Sequence, residues 1–127
     1  MTPEASAYFD KANECLAYAR ANLAARLGND AGRNAYLAMF HAAQALIFER
    51  TGKAAKTHSG VHTQFNRLVQ PEAGFSTTLR RSLPQAYNLK AVADYETGPD
   101  AFIPLERAET AIATANEFVT AVAGLVR

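Results

Sequence analysis

A chain of 127 residues, 49% hydrophobic and 20% charged, has room for one core and can fold around it without a disulfide or metal staple. That balance excludes a disordered chain, and the longest nearly apolar stretch, 35–48, is interrupted by His41 and Gln44 and too short to span a membrane. Net charge is only +1, but residues 51–93 set Lys53, Lys56, Arg67, Arg80, Arg81 and Lys90 against Glu72 alone. A basic middle of this kind can meet phosphates while the molecule stays near neutral. Cys15 is the lone cysteine, and the first residues lack the pattern of a secretory signal, so one cytoplasmic domain over 1–127 is expected.

Alanine occurs 27 times and tryptophan never, a composition that favours helix. The first helix is expected from Pro3 to Leu27, capped by Thr2 and stopped by Gly28. Tyr8, Ala12, Cys15, Ala19, Leu23 and Leu27 mark its apolar face.

A second helix is expected from Asp30 to Thr51, ending at Gly52. It is apolar almost all round, which places it in the middle of a bundle or against a partner. Arg33, Asn34, His41 and Gln44 are its polar exceptions. They read either as a ligand or active-site stripe or as interhelical hydrogen bonds.

Residues 53–58 read as a basic loop and Ser59 as the cap of a short third helix carrying Val61, Phe65, Leu68 and Val69. His58 and His62 stand four apart, a spacing that could share a metal on a helix, but His58 precedes that cap and no third ligand is near, so no metal is expected. A fourth helix with Leu79, Leu83, Tyr87 and Lys90 runs to about Tyr95, with Pro84 kinking or restarting it. After a turn at 97–100, a fifth helix opens at Pro104 with a regular seam of Leu105, Ala108, Ile112, Ala115, Val119, Val122 and Val126. The expected architecture is an all-α, up-and-down bundle of four to five helices. The apolar second helix and the regular seam suggest a two-fold dimer.

The string Arg33-Asn-Ala-Tyr-Leu-Ala-Met-Phe-His-Ala-Ala-Gln-Ala-Leu46 resembles the HEPN superfamily (higher eukaryotes and prokaryotes nucleotide-binding domain). Lys56-Thr-His-Ser-Gly60, Ala93-Asp-Tyr95, Glu106-Arg-Ala-Glu and Ala115-Asn-Glu-Phe-Val119 are similar to segments of a small bacterial branch of it. The resemblance implies a helical bundle, frequent homodimers and a link to RNA. Many relatives are metal-independent endoribonucleases, often toxins beside a small nucleotidyltransferase. Their signature, an Arg, a polar residue and then a His, falls on Arg33, Asn34 and His41, although seven residues separate Arg33 from His41, one more than the pattern has.

The expectation is therefore a cofactor-free, toxin-type ribonuclease with Arg33, Asn34 and His41 as catalytic residues. His41 would move the proton, Arg33 would hold the phosphate and Asn34 would orient either. Lys56, His58, Arg80 and Arg81 would guide the RNA. The alternatives are a non-catalytic module that binds RNA, a nucleotide or a protein, and an adaptor whose polar stripe is a dimer seam.

Overall fold

The computed structural model describes residues 1–126. It contains five α-helices: α1 (Pro3–Ala24), α2 (Gly28–Thr51), α3 (His58–Val69), α4 (Thr77–Tyr95) and α5 (Leu105–Val126), with a 3-10 turn at Pro99–Ala101. No strand occurs among the described residues, so the all-α bundle is as expected. None of these helices is long and apolar enough to cross a membrane.

Helix α2 forms the axis, packed by α1, α3, α4 and α5. Its all-round apolarity is thus satisfied within one chain, where Tyr36, Met39, Leu46 and Ile47 are fully buried. The α5 seam is likewise buried from Ala108 to Val126, with Phe118 added, and lies mainly against α2. Neither feature needs a second copy to cover it.

Three helix starts follow capping residues. Thr2 accepts from the Ala5 amide, Thr57 from Gly60 and Ser76 from Leu79. Thr57, not Ser59, therefore opens α3, two residues earlier than expected, and puts His58 on the helix. Gly52 ends α2 in the left-handed region at φ 72°, as expected. Pro84 neither ends nor restarts α4, which is one helix. Because Pro84 has no N–H, the Arg80 carbonyl simply loses its partner one turn on.

The first turn departs from expectation. Arg26, not Gly28, takes the left-handed conformation at φ 64°, and Leu27 N–H closes back on the Asn22 carbonyl at 2.8 Å. Gly28 instead begins α2. A Cβ there would lie 2.2 Å from the Ile103 carbonyl oxygen, so glycine lets the segment before α5 lie against the helix start. Asn29 secures that segment by donating to the Ala101 carbonyl at 3.0 Å and accepting from the Ile103 amide at 2.8 Å.

Candidate functional site

Helix periodicity gathers polar groups from three elements onto one face of α2. Arg33, Tyr36 and Phe40 follow one another at steps of three and four on α2, His58 and His62 at four on α3, and Tyr87, Lys90 and Asp94 at three and four on α4. Where the three faces meet, the Tyr36 hydroxyl lies 2.7 Å from His58 Nδ1 and 2.9 Å from His62 Nε2. Tyr36 is fully buried, and both histidines are partly exposed.

Aromatic rings hold the two imidazoles in place. The His58 ring centroid is 4.8 Å from Phe40 and 4.9 Å from Tyr87, while His62 meets Tyr87 edge-on at 5.4 Å. Burial lowers the pKa of both histidines, with Lys90 adding to the effect on His58 and His58 to that on His62. Burial, and then the neighbouring Tyr87, pushes the Tyr36 phenol far above its ordinary value. At neutral pH the cluster is therefore a neutral phenol between two neutral imidazoles.

Hydrogen-bond valence then fixes the protons. The phenol has one proton, which it donates to one imidazole, so the nitrogen it meets there is bare. The other imidazole must donate its N–H to the phenol oxygen. Each neutral ring has one protonated nitrogen, so the two remaining nitrogens, His58 Nε2 and His62 Nδ1, are of opposite kind. One is a lone pair and the other an N–H. Neither has a hydrogen-bond partner among the described residues. A base and a donor are thus presented by one connected cluster.

Charge lies beside it. Asp94 pairs with Arg33 Nε at 3.2 Å and also with Lys90, whose ammonium stands 5.6 Å from the Tyr95 ring centroid. The Asp94 side chain is 21% exposed and that of Lys90 11%, so this network is partly withdrawn from water. Arg80 and Arg81 line, together with His62, a cavity between α3 and α4. Lys56 is exposed just before α3.

The residues expected to be catalytic are not all in one place. Arg33 pairs with Asp94, whose carboxylate acts on His58 only electrostatically. The Asn34 amide turns toward α1 and pairs with that of Asn22 at 2.8 Å. His41 Nδ1 meets Gln44 Oε1 at 2.7 Å, and its ring borders Glu4, Tyr8 and Lys11 of α1. Buried Gln44 in turn donates to the Ala55 carbonyl at 2.8 Å. The Arg33–Asn34–His41 stripe is thus divided between two neighbours, α4 for Arg33 and α1 for Asn34 and His41, and among the described residues no hydrogen bond or ion pair joins Arg33 to His41. Burial lowers the pKa of His41, while the Gln44 hydrogen bond opposes the shift.

Sequence reasoning missed Tyr36, Tyr87 and Asp94 as a set and considered His62 only as a metal ligand. The three- and four-residue steps on each helix were the available signal. Among the described residues no group of three His, Cys, Asp or Glu side chains is arranged to hold a metal ion.

Known proteins resemble this chain along most of its length. The HEPN domain family model matches residues 5–125. The chain is 33% identical over 116 residues to a protein of Methanocaldococcus jannaschii named "Putative toxin MJ0605", covering 91% of this chain and 84% of that protein.

Proposed function

Because the chain belongs to the HEPN domain family, we propose that it is a toxin-type ribonuclease that cleaves RNA through the RNA's own 2′-hydroxyl, with His58 and His62 as its acid–base pair. The observation that carries this reading is the Tyr36 hydroxyl held between two imidazoles. The name of the archaeal relative supports the toxin part.

Cleavage of this kind needs one group to take the 2′-hydroxyl proton and another to supply a proton to the departing 5′-oxygen. The bare outer nitrogen takes the first proton. That imidazole passes its inner proton to the phenol oxygen, and the phenol passes its own to the second imidazole. The second imidazole then releases its outer proton to the leaving group. The 2′-oxygen forms a bond to phosphorus as the 5′-oxygen leaves, giving a 2′,3′-cyclic phosphate, and every proton is accounted for. Afterwards the two rings have exchanged tautomers. Both imidazoles are held neutral by burial, as a base working near neutral pH requires.

A second reading, a non-catalytic module that binds RNA or a nucleotide, is favoured by Arg33, whose guanidinium is already paired with Asp94. In either reading the toxin-type role calls for a partner chain, for which a small nucleotidyltransferase is the class that the family resemblance offers.

The experiment is incubation of the purified protein with a mixed RNA pool in EDTA. Cyclic-phosphate ends are expected, to be abolished by His58→Ala and by His62→Ala but retained by His41→Ala. An RNA pool left intact by the wild type at every pH tried, or cleavage lost only in His41→Ala, would overturn the reading.

A further inference from the structure

The cavity between α3 and α4 has a volume of about 350 Å³. Its polar wall is His62 and Asn66 from α3 with Thr77, Arg80 and Arg81 from α4, and among the described residues no acidic side chain lines it. Leu83 and Pro84 supply an apolar side. Two guanidiniums meet here, and among the described residues no carboxylate pairs with either.

Arg80 adds a second and independent observation. Its Nη2 donates to Thr77 Oγ1 at 3.1 Å, but its Nε is buried without a partner. Among the described residues it is the one buried side-chain nitrogen or oxygen left so. A buried donor on a permanent cation calls for an acceptor, preferably an anionic one. The guanidinium fork suits two oxygens of one phosphate. Neutral acceptors elsewhere in the chain satisfy comparable donors: Asn29, Gln44 and Arg50 each reach a backbone carbonyl.

We propose that this cavity is a phosphate subsite for a single-stranded RNA backbone, in which Arg80 grips the phosphate oxygens, Arg81 adds charge, and Leu83 and Pro84 receive the sugar or base. The proposal rests on the ribonuclease reading for the source of the phosphate, since His62 belongs both to this wall and to the Tyr36 cluster. A strand held here lies beside one of the two imidazoles. Asn66 and Thr77 offer neutral hydrogen bonds to the same chain, and contacts of this kind position a backbone without reading its sequence. The expected preference is for phosphodiester over base identity.

The test measures binding apart from cleavage. A fluorescent 2′-O-methyl oligonucleotide cannot form the cyclic phosphate, so its anisotropy reports affinity alone. Arg80→Gln is expected to weaken binding at least about tenfold, because a charged hydrogen bond is lost. Arg80→Lys keeps the charge without the fork and should fall between the two, and it also serves if the glutamine variant proves unstable by circular dichroism. The dependence of affinity on salt should become shallower in Arg80→Gln by about one counterion. Inorganic phosphate should compete only weakly, and a mononucleotide less well than the oligomer. Equal binding by wild type and both Arg80 variants overturns the subsite, and a mononucleotide that binds as tightly as the oligomer overturns its assignment to RNA. Arg80-dependent binding by a protein that cleaves nothing would sink the ribonuclease reading and uphold the subsite. Cleavage with Arg80-independent binding would do the reverse.

Discussion

Replacing Tyr36 with Phe removes one oxygen atom and keeps the ring. The packing should survive, since the ring's contacts with Phe40 and Tyr87, at centroid distances of 5.9 and 5.3 Å, do not use the hydroxyl. What goes is the pair of hydrogen bonds at 2.7 and 2.9 Å. Tyr36 is fully buried, so water cannot easily replace the oxygen, whereas the partly exposed imidazoles can recover some hydration by turning. Two bonds at roughly 1 kcal/mol each, less that recovery and plus the cost of any nitrogen left unpaired, give a destabilisation of about 1–3 kcal/mol. Urea denaturation should show this as a lower midpoint with an unchanged slope. Nitrogen-15 spectra of the imidazoles supply the sharper readout. Wild-type His58 and His62 should present opposite protonation patterns toward the phenol, and Tyr36→Phe should release that constraint. If the protein is a nuclease, kcat should fall by about a hundredfold with KM little changed, because proton transfer and not binding is interrupted. A variant within about 0.5 kcal/mol of wild type, with the same tautomers and the same kcat, would refute the connected-cluster argument.

Two further outcomes follow from the same structure. Gly28→Ala should destabilise by about 1–3 kcal/mol, although alanine ordinarily favours a helix by about 1 kcal/mol, because its Cβ would need the Ile103 backbone to withdraw. A thermal midpoint equal to or above that of wild type would contradict this. All three histidines have pKa values lowered by burial from 6.5, so below that pH the unfolded chain binds protons that the folded chain refuses. Stability should therefore fall as pH drops through and below about 6.5, before the carboxylates titrate, and a flat melting temperature down to about pH 5 would count against it.

The bundle itself was legible because alanine-rich segments with three- and four-residue apolar spacing leave little choice of secondary structure. The candidate site was less so, for reasons visible in particular residues. Reading α2 alone joined Arg33, Asn34 and His41 into one stripe, but a helix about 80° further round at His41 faces a different neighbour. Only the placement of α1 and α4 shows which neighbour each residue meets. Tyr36 falls within the apolar run of the second helix, which is right for its ring and silent about its hydroxyl. The choice of Ser59 over Thr57 as the cap mattered most, because it left His58 in a loop and separated it from His62. Either hydroxyl can cap, and local sequence does not decide between them. At the end of α1, Gly28 looked like the terminator. The close passage of Ile103, seventy-five residues away, is what that glycine serves.

The hydrogen bond from Gln44 to the Ala55 carbonyl has a geometric consequence. It moors the connection between α2 and α3 to the body of α2, so that only Lys56 and Thr57 separate the mooring from His58. Those two residues act as a spacer of set length: they determine how far along α2 the third helix begins, and so whether its imidazoles arrive level with Tyr36. One residue more or fewer there would lengthen or shorten this non-helical spacer by up to about 3.3 Å, and so carry the start of α3 out of step with Tyr36. The interval 56–57 should therefore tolerate changes of side chain far better than changes of length.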